Sequence, residues 1–335
     1  MVLDIKRVLV LDEIGTKCID ILNVHKIFVK KMATLNEKEL MNEIPTYDAL
    51  VVRFSTKVTI DVLLAATNLK VIACAGSYFG NVDLCAAKNL GVAVINAPSG
   101  DNLSACEYTC CLTMALARNT MKAMDLSIAR HWDPSLYVGT ELKSRTIAII
   151  GLSDIAKKFA RCMSVFKPFI MCYDSRYSAS YCKRYSAIKM ELNQIWPVAD
   201  YIIIFSTPFG SNQTYINEEI LRACKRGVKI IIIGKSNVFD TIAMMDALNT
   251  GHVSGAGLDM YDEDLTLLKQ PIFNHPSVIA SMHLGVQTEE AVMRCGQEAA
   301  EQLINLCFPG TYYTSQSTVV KFQDELPHLV TSNTC

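Results

Sequence analysis

Short apolar runs rich in β-branched residues recur along this chain, each followed by a segment of helical period. That alternation leaves little room for anything but a parallel α/β fold. "RVLVLD" (residues 7–12), "ALVVRF" (49–54), "LKVIACAG" (69–76) and "VAVINAP" (92–98) read as buried parallel strands. A second series starts at Thr146, with strands expected over 146–150, 169–173, 201–205, 228–233, 253–258 and 277–282. Between the two series, "SACEYTCCLTMALARNTMKAMDLSIARH" has helical period. Ser104 stands there as the expected N-cap, with Glu107 three residues on, the spacing of a capping box. A last helix is expected over 288–307, stopped by Pro309-Gly310. Two α/β series in 335 residues predict two doubly wound domains with a cleft between them.

Composition narrows the function classes. The formal net charge is −1, and basic residues form no run beyond pairs such as Lys30-Lys31, so nucleic acid and anionic membrane are poor partners. No apolar run approaches the ~20 residues of a membrane span, and the charged start "MVLDIKRVLVLD" is unlike a secretory signal. The 13 cysteines include no C-x-x-C pair and the six histidines are scattered, so no metal site is expected. Free thiols in a reducing, cytoplasmic compartment are the expectation.

The stretch "TIAIIGLSDIAKKFA" (146–160) runs a strand through a glycine into a helix, as a dinucleotide-binding turn does. Gly151 can make the tight turn, and Ala156 is an accepted variant of the third glycine. Ser153 adds a side chain where the pyrophosphate should approach. Asp154 adds a charge: a carboxylate about 5 Å from a phosphate would cost on the order of 3 kcal/mol at an effective dielectric of 20. The alternative is that Ser153 and Asp154 cap the helix themselves, using the N–H groups a pyrophosphate would take. Asp174 follows 23 residues after Gly151, near the spacing of about 20 for the acid that binds the ribose hydroxyls, and favours NAD over NADP.

Several further segments, in order, resemble the D-2-hydroxyacid dehydrogenases. They are "ALVVRFSTKVT", "AGSYFGNVDLCAAKNLGVAVINAPSGDNLSACEYT", "GTELKSRTIAIIGL", "IWPVADYIIIFSTP", "GHVSGAGLDMYDED" and "MHLG". The likeness is greatest to the animal-type phosphoglycerate dehydrogenases. It implies an α/β architecture of two doubly wound parallel-sheet domains. A Rossmann NAD-binding domain, about 100–283, is inserted in a flavodoxin-like substrate domain, about 1–99 and 284–315, with a tail over 316–335. It also implies a homodimer built on the long helical region around residues 104–132, and a small 2-hydroxy or 2-oxo acid as substrate. By motif position His283 matches the proton-accepting histidine, Asp264 its acidic partner, and Lys235 replaces the carboxylate-gripping arginine. Lys235 keeps the charge without the two-pronged grip, and Asp264 is one methylene shorter than the family's usual glutamate. Substrate contacts fall on Arg53, Ser77, Tyr78 and Phe79. Cofactor contacts fall on Gly151, Ser153, Asp154, Ile155, Asp174, Thr207, Pro208, Gly234, Asp259 and Gly285.

Two readings stay open on the sequence. One is an NAD-dependent 2-hydroxyacid dehydrogenase with altered specificity and reduced rate. Tyr78 and Phe79 crowd its carboxylate loop, and Cys74 and "WDPSLY" (132–137) stand where phosphoglycerate-type members carry basic residues. The other is a non-catalytic member that serves as a dinucleotide sensor or dimeric scaffold. The changes cluster at the phosphate turn, the carboxylate loop and the clamp, while strands and core look intact. On this reading nucleotide binds weakly or not at all.

Overall fold

The computed structural model describes residues 2–130, 132–205, 215–235, 238–261 and 270–312, without the side chains of Lys235 and Tyr261. The chain divides into two compact units, one of residues up to Ser104 together with the chain from Val286, the other Ala105–Gly285.

The first unit carries five strands, β1 (Arg7–Val10), β2 (Phe28–Lys31), β3 (Ala49–Val52), β4 (Val71–Cys74) and β5 (Ala93–Asn96), in the order β2-β1-β3-β4-β5. Every pairing is parallel. Successive residues feed opposite faces, as the period of two requires. Val8 and Val10 join a core that includes the last helix, Glu289–Cys307. Leu9 and Leu11 join the core under the helices Glu37–Glu43, Ile60–Ala65 and Leu84–Asn89. Both faces are therefore covered, which is why the strands read as continuous apolar runs.

The second unit carries β6 (Thr146–Ile150), β7 (Phe169–Tyr173), β8 (Ile188–Lys189), β9 (Tyr201–Ile204), β10 (Val228–Lys235), β11 (Val253–Tyr261) and β12 (Val278–Met282). Their order is β12-β11-β10-β9-β6-β7-β8, again all parallel. β6 therefore sits where the strand order reverses, and the turn that follows it opens at a topological switch point. Ile147 and Ile149 pack on one face with Phe159 of the helix Asp154–Ser164, while Ala148 and Ile150 face the opposite core.

Both sheets have the doubly wound parallel architecture expected, and two local expectations need correction. Ser104 is not an N-cap: the helix spans Asn102–Ala117, and the Ser104 hydroxyl lies 2.7 Å from that of Thr288. Nor does that helix run on through the region. It stops at Ala117, and a second helix follows over Thr120–Ile128, entered through Asn119, whose φ of +50° is the left-handed conformation asparagine tolerates.

Candidate dinucleotide site and substrate pocket

The dinucleotide turn is built from β6 outward. Gly151 has φ +82°, which an L side chain rarely adopts, and its N–H donates to the Tyr173 carbonyl at 2.9 Å. Ser153 caps the helix Asp154–Ser164, its hydroxyl accepting from the Ala156 N–H at 3.3 Å. One of the helix's first N–H groups is thus engaged. Among the described residues no hydrogen bond engages those of Ser153, Asp154 and Ile155. The Asp154 side chain is 69% exposed and pairs with Lys157 Nζ at 2.9 Å. Its charge therefore points outward and is offset at close range, so the repulsion weighed above is largely relieved. Partial burial pulls the Lys157 ammonium down, but Asp154 and Tyr177 outweigh it and hold the lysine above its ordinary value.

Asp174 follows β7 and is almost wholly buried. Its Oδ2 accepts from the Leu152 N–H (2.8 Å) and from Arg176 Nη2 (2.6 Å). Its Oδ1 accepts from the Arg176 N–H (3.0 Å) and Nε (2.9 Å). Burial pushes this carboxyl up, but the Arg176 and Leu152 donors outweigh it and leave it below the usual range. Arg176, two residues beyond Asp174 in "YDSR", and Lys157 were missed by sequence reasoning. No spacing rule flags them, although the short separation of Arg176 from an expected acid was visible.

At the far side of the same sheet, Asp259 of β11 is 2% exposed and holds the turn after β12. It accepts from Ser281 Oγ (2.7 Å), the Leu284 N–H (2.8 Å) and the Gly285 N–H (2.9 Å), and Tyr108 OH donates to Ser281 Oγ at 2.9 Å. A Cβ on Gly285 would lie 2.7 Å from Asp259 Oδ2, so only glycine fits this approach. His283 sits in the turn, half-buried, with φ +54°, its N–H donating to the Met260 carbonyl at 3.0 Å. Gly234 pairs with Met260, and Lys235 ends β10 opposite Tyr261. The lysine's side chain, Asp264, Thr207 and Pro208 lie outside the described residues.

In the first unit, polar groups gather at the C-terminal ends of β1, β3, β4 and β5. Asp12 accepts from the Arg53 N–H (2.8 Å) and from the hydroxyls of Thr56 and Thr34 (both 2.7 Å), fixing the Arg53 turn. Asn81 Nδ2 ties the same turn down through the carbonyls of Arg53 (2.9 Å) and Thr56 (2.7 Å). Ser77 donates twice to Asp101 Oδ2, from N–H (3.2 Å) and Oγ (3.0 Å). Tyr78 folds back over the Gly80 backbone. Phe79 packs into its own unit's core beside the helices. Buried atoms remain without a hydrogen-bond partner among the described residues: Arg53 Nε and one oxygen each of Asn81, Asn96 and Asp101. Burial pushes the Asp101 carboxyl up against the Ser77 donors, with Glu298 adding to the push. The Asn81, Asn96 and Asp101 side chains also escaped the sequence reading, because only the fold brings Asn81 to the Arg53 turn and Asn96 and Asp101 to Ser77. Buried polar atoms left unpaired are costly unless something binds there, and a small molecule with a carboxylate would answer the arginine. Among the described residues no group of histidine, cysteine or acidic side chains could hold a metal ion, and the cysteines are free thiols.

Residues 110–285 match the family model described as D-isomer specific 2-hydroxyacid dehydrogenase, NAD binding domain. The chain is 34% identical over 303 residues to D-3-phosphoglycerate dehydrogenase of Rattus norvegicus, covering 90% of this chain and 57% of that protein. It is 31% identical over 269 residues to D-3-phosphoglycerate dehydrogenase of Bacillus subtilis, covering 80% of this chain and 51% of that protein. The chain thus spans little more than half the length of these relatives. In fold it is similar to the apo-structure of D-lactate dehydrogenase from Escherichia coli (TM-score 0.77, 21% identity, 90% of this chain and 96% of that one). It is also similar to D-2-hydroxyisocaproate dehydrogenase (TM-score 0.78, 20% identity, 92% and 98%). With the parallel sheets, the glycine turn at the switch point and the matched NAD-binding domain together, the chain belongs to the D-isomer specific 2-hydroxyacid dehydrogenase family.

Proposed function

We propose that this chain is an NAD-dependent dehydrogenase acting on a small 2-hydroxy or 2-oxo acid other than phosphoglycerate, at a rate below that of its relatives. The observation that carries the reading is the turn after β6. Gly151 makes it, the N–H groups of Ser153, Asp154 and Ile155 stay unengaged among the described residues, and Asp154 turns outward onto Lys157. A helix start of this kind suits a pyrophosphate. NAD would supply the hydride acceptor. His283 would take the substrate hydroxyl proton, with Asp264 as its partner and Lys235 holding the carboxylate. Within the first unit, Arg53, with its unpaired Nε, suits the carboxylate of such an acid. A triply charged phosphoglycerate would find few cations there.

Six large apolar side chains between Met121 and Val138 are more than 40% exposed, Trp132 at 86% among them. They suit the homodimer face that the family resemblance implies.

A second reading has its own support. Asp174 is already saturated by Arg176 and Leu152, and Ser153 already caps the helix. Those contacts favour a chain that binds dinucleotide weakly and acts as a sensor or scaffold. Titration calorimetry with NADH, paired with oxidation assays on a panel of 2-hydroxy acids with and without phosphate, decides between them. The enzyme reading predicts NADH binding and turnover of an unphosphorylated acid that falls by at least about a hundredfold in His283→Ala. NADH binding without any turnover, or turnover that His283→Ala leaves unchanged, would sink it.

A further inference from the structure

The Asp174 carboxylate offers about four acceptor positions, and all four are taken within the chain. Oδ1 holds the Arg176 N–H (3.0 Å) and Nε (2.9 Å), and Oδ2 holds the Leu152 N–H (2.8 Å) and Arg176 Nη2 (2.6 Å). Two of these donors, the backbone N–H groups, are fixed by the turn. The other two come from one flexible side chain that loops back two residues onto its own neighbour.

That side chain is held from behind. The Arg176 guanidinium lies 5.5 Å from the centroid of the Tyr177 ring. Tyr177 is itself stacked on Tyr181, ring centroids 4.5 Å apart, with Lys157 Nζ over the Tyr177 ring at 4.9 Å. Arg176 nevertheless remains 62% exposed, so it can leave without disrupting the core.

We infer that Arg176 is an internal competitor at the adenosine ribose position: its fork occupies the carboxylate oxygens that a ribose 2′,3′-diol would use, and it sets the affinity for NAD(H). The inference rests on the NAD(H) reading of the turn after β6. A diol that reaches Asp174 must first displace two charge-assisted bonds, and it returns two bonds in which only the acceptor is charged. The exchange is unfavourable with arginine present and favourable without it. The remaining donors, Leu152 N–H and the N–H of residue 176, keep the carboxylate ionised and aimed in either case.

The test compares the wild-type chain with Arg176→Ala by titration calorimetry, using NADH and reduced nicotinamide mononucleotide, which lacks the adenosine ribose. Removing the fork should tighten NADH by about tenfold, since charge-assisted bonds of this kind are among the stronger ones. The mononucleotide should be unaffected. NADH binding that is unchanged or weaker in Arg176→Ala overturns the inference and leaves the NAD(H) reading standing. An equal gain for the mononucleotide also overturns it, because the effect would not lie at the ribose. Failure of both proteins to bind NADH overturns the NAD(H) reading and this inference with it. Matching far-ultraviolet circular dichroism and melting of the two proteins establishes that the variant is folded.

Discussion

Replacing Asp259 with asparagine tests how far the turn carrying His283 depends on one buried carboxylate. The wild-type side chain is 2% exposed and accepts three hydrogen bonds, from Ser281 Oγ, the Leu284 N–H and the Gly285 N–H, at 2.7–2.9 Å. Asparagine keeps one oxygen, which can serve Ser281 and Leu284. Its amide nitrogen then faces the Gly285 N–H, donor to donor. A buried N–H left without an acceptor costs about 1–3 kcal/mol. The two retained bonds lose their ionic partner and weaken by roughly half. A neutral side chain is cheaper to bury than a charge, so the lower half of the combined range applies, about 3 kcal/mol. For a body the size of Ala105–Gly285, each kcal/mol moves Tm by about 2–4 °C, so Asp259→Asn should melt about 6–12 °C lower. Gly285→Ala attacks the same cradle from the other side, because its Cβ would lie 2.7 Å from Asp259 Oδ2, and should lower Tm comparably. Scanning calorimetry reads both. A shift under about 2 °C in both variants would refute the account of the cradle as the turn's main support.

Gly151→Ala places an L residue at φ +82° and should cost about 1–2 kcal/mol, read as a fall in urea midpoint with unchanged slope. Acid sensitivity follows from three carboxylates. Asp48, Asp174 and Asp200 are all pushed up by burial but brought below their ordinary values by stronger donors, from Lys70, Arg176 and Lys225 respectively. A folded pKa below the unfolded one gives stability that is full above about pH 4 and lost as pH falls through the folded pKa. Tm should therefore drop as pH falls below about 4, and less steeply in Asp200→Asn. Asp101 runs the other way: its raised folded pKa adds stability as pH falls toward about 4, so Asp101→Asn should remove that gain above about pH 4 and leave the acid drop below it in place.

Much of the fold was legible because buried parallel strands need β-branched apolar runs and little else. The runs at 146–150 and 169–173 became β6 and β7 with the same ends. β2 was missed because "FVKK" is a half-exposed edge strand with no apolar run, and β8 because it is two residues long. The capping-box pattern at Ser104 misled because it weighs only local donors, whereas the serine hydroxyl meets Thr288, far away in sequence.

What the sequence determined by itself is the class of fold, the place of the dinucleotide turn and the family to which the chain belongs. All three depend on local patterns: the period of two, a glycine after a strand, and ordered motifs. The tertiary structure decided the rest. The strand order puts the turn at a switch point, the rotamer of Asp154 turns its charge onto Lys157, and the fork of Arg176 fills Asp174. Each depends on the direction of a side chain or the neighbour of a strand. Those are set by long-range packing, on which a local pattern carries no information.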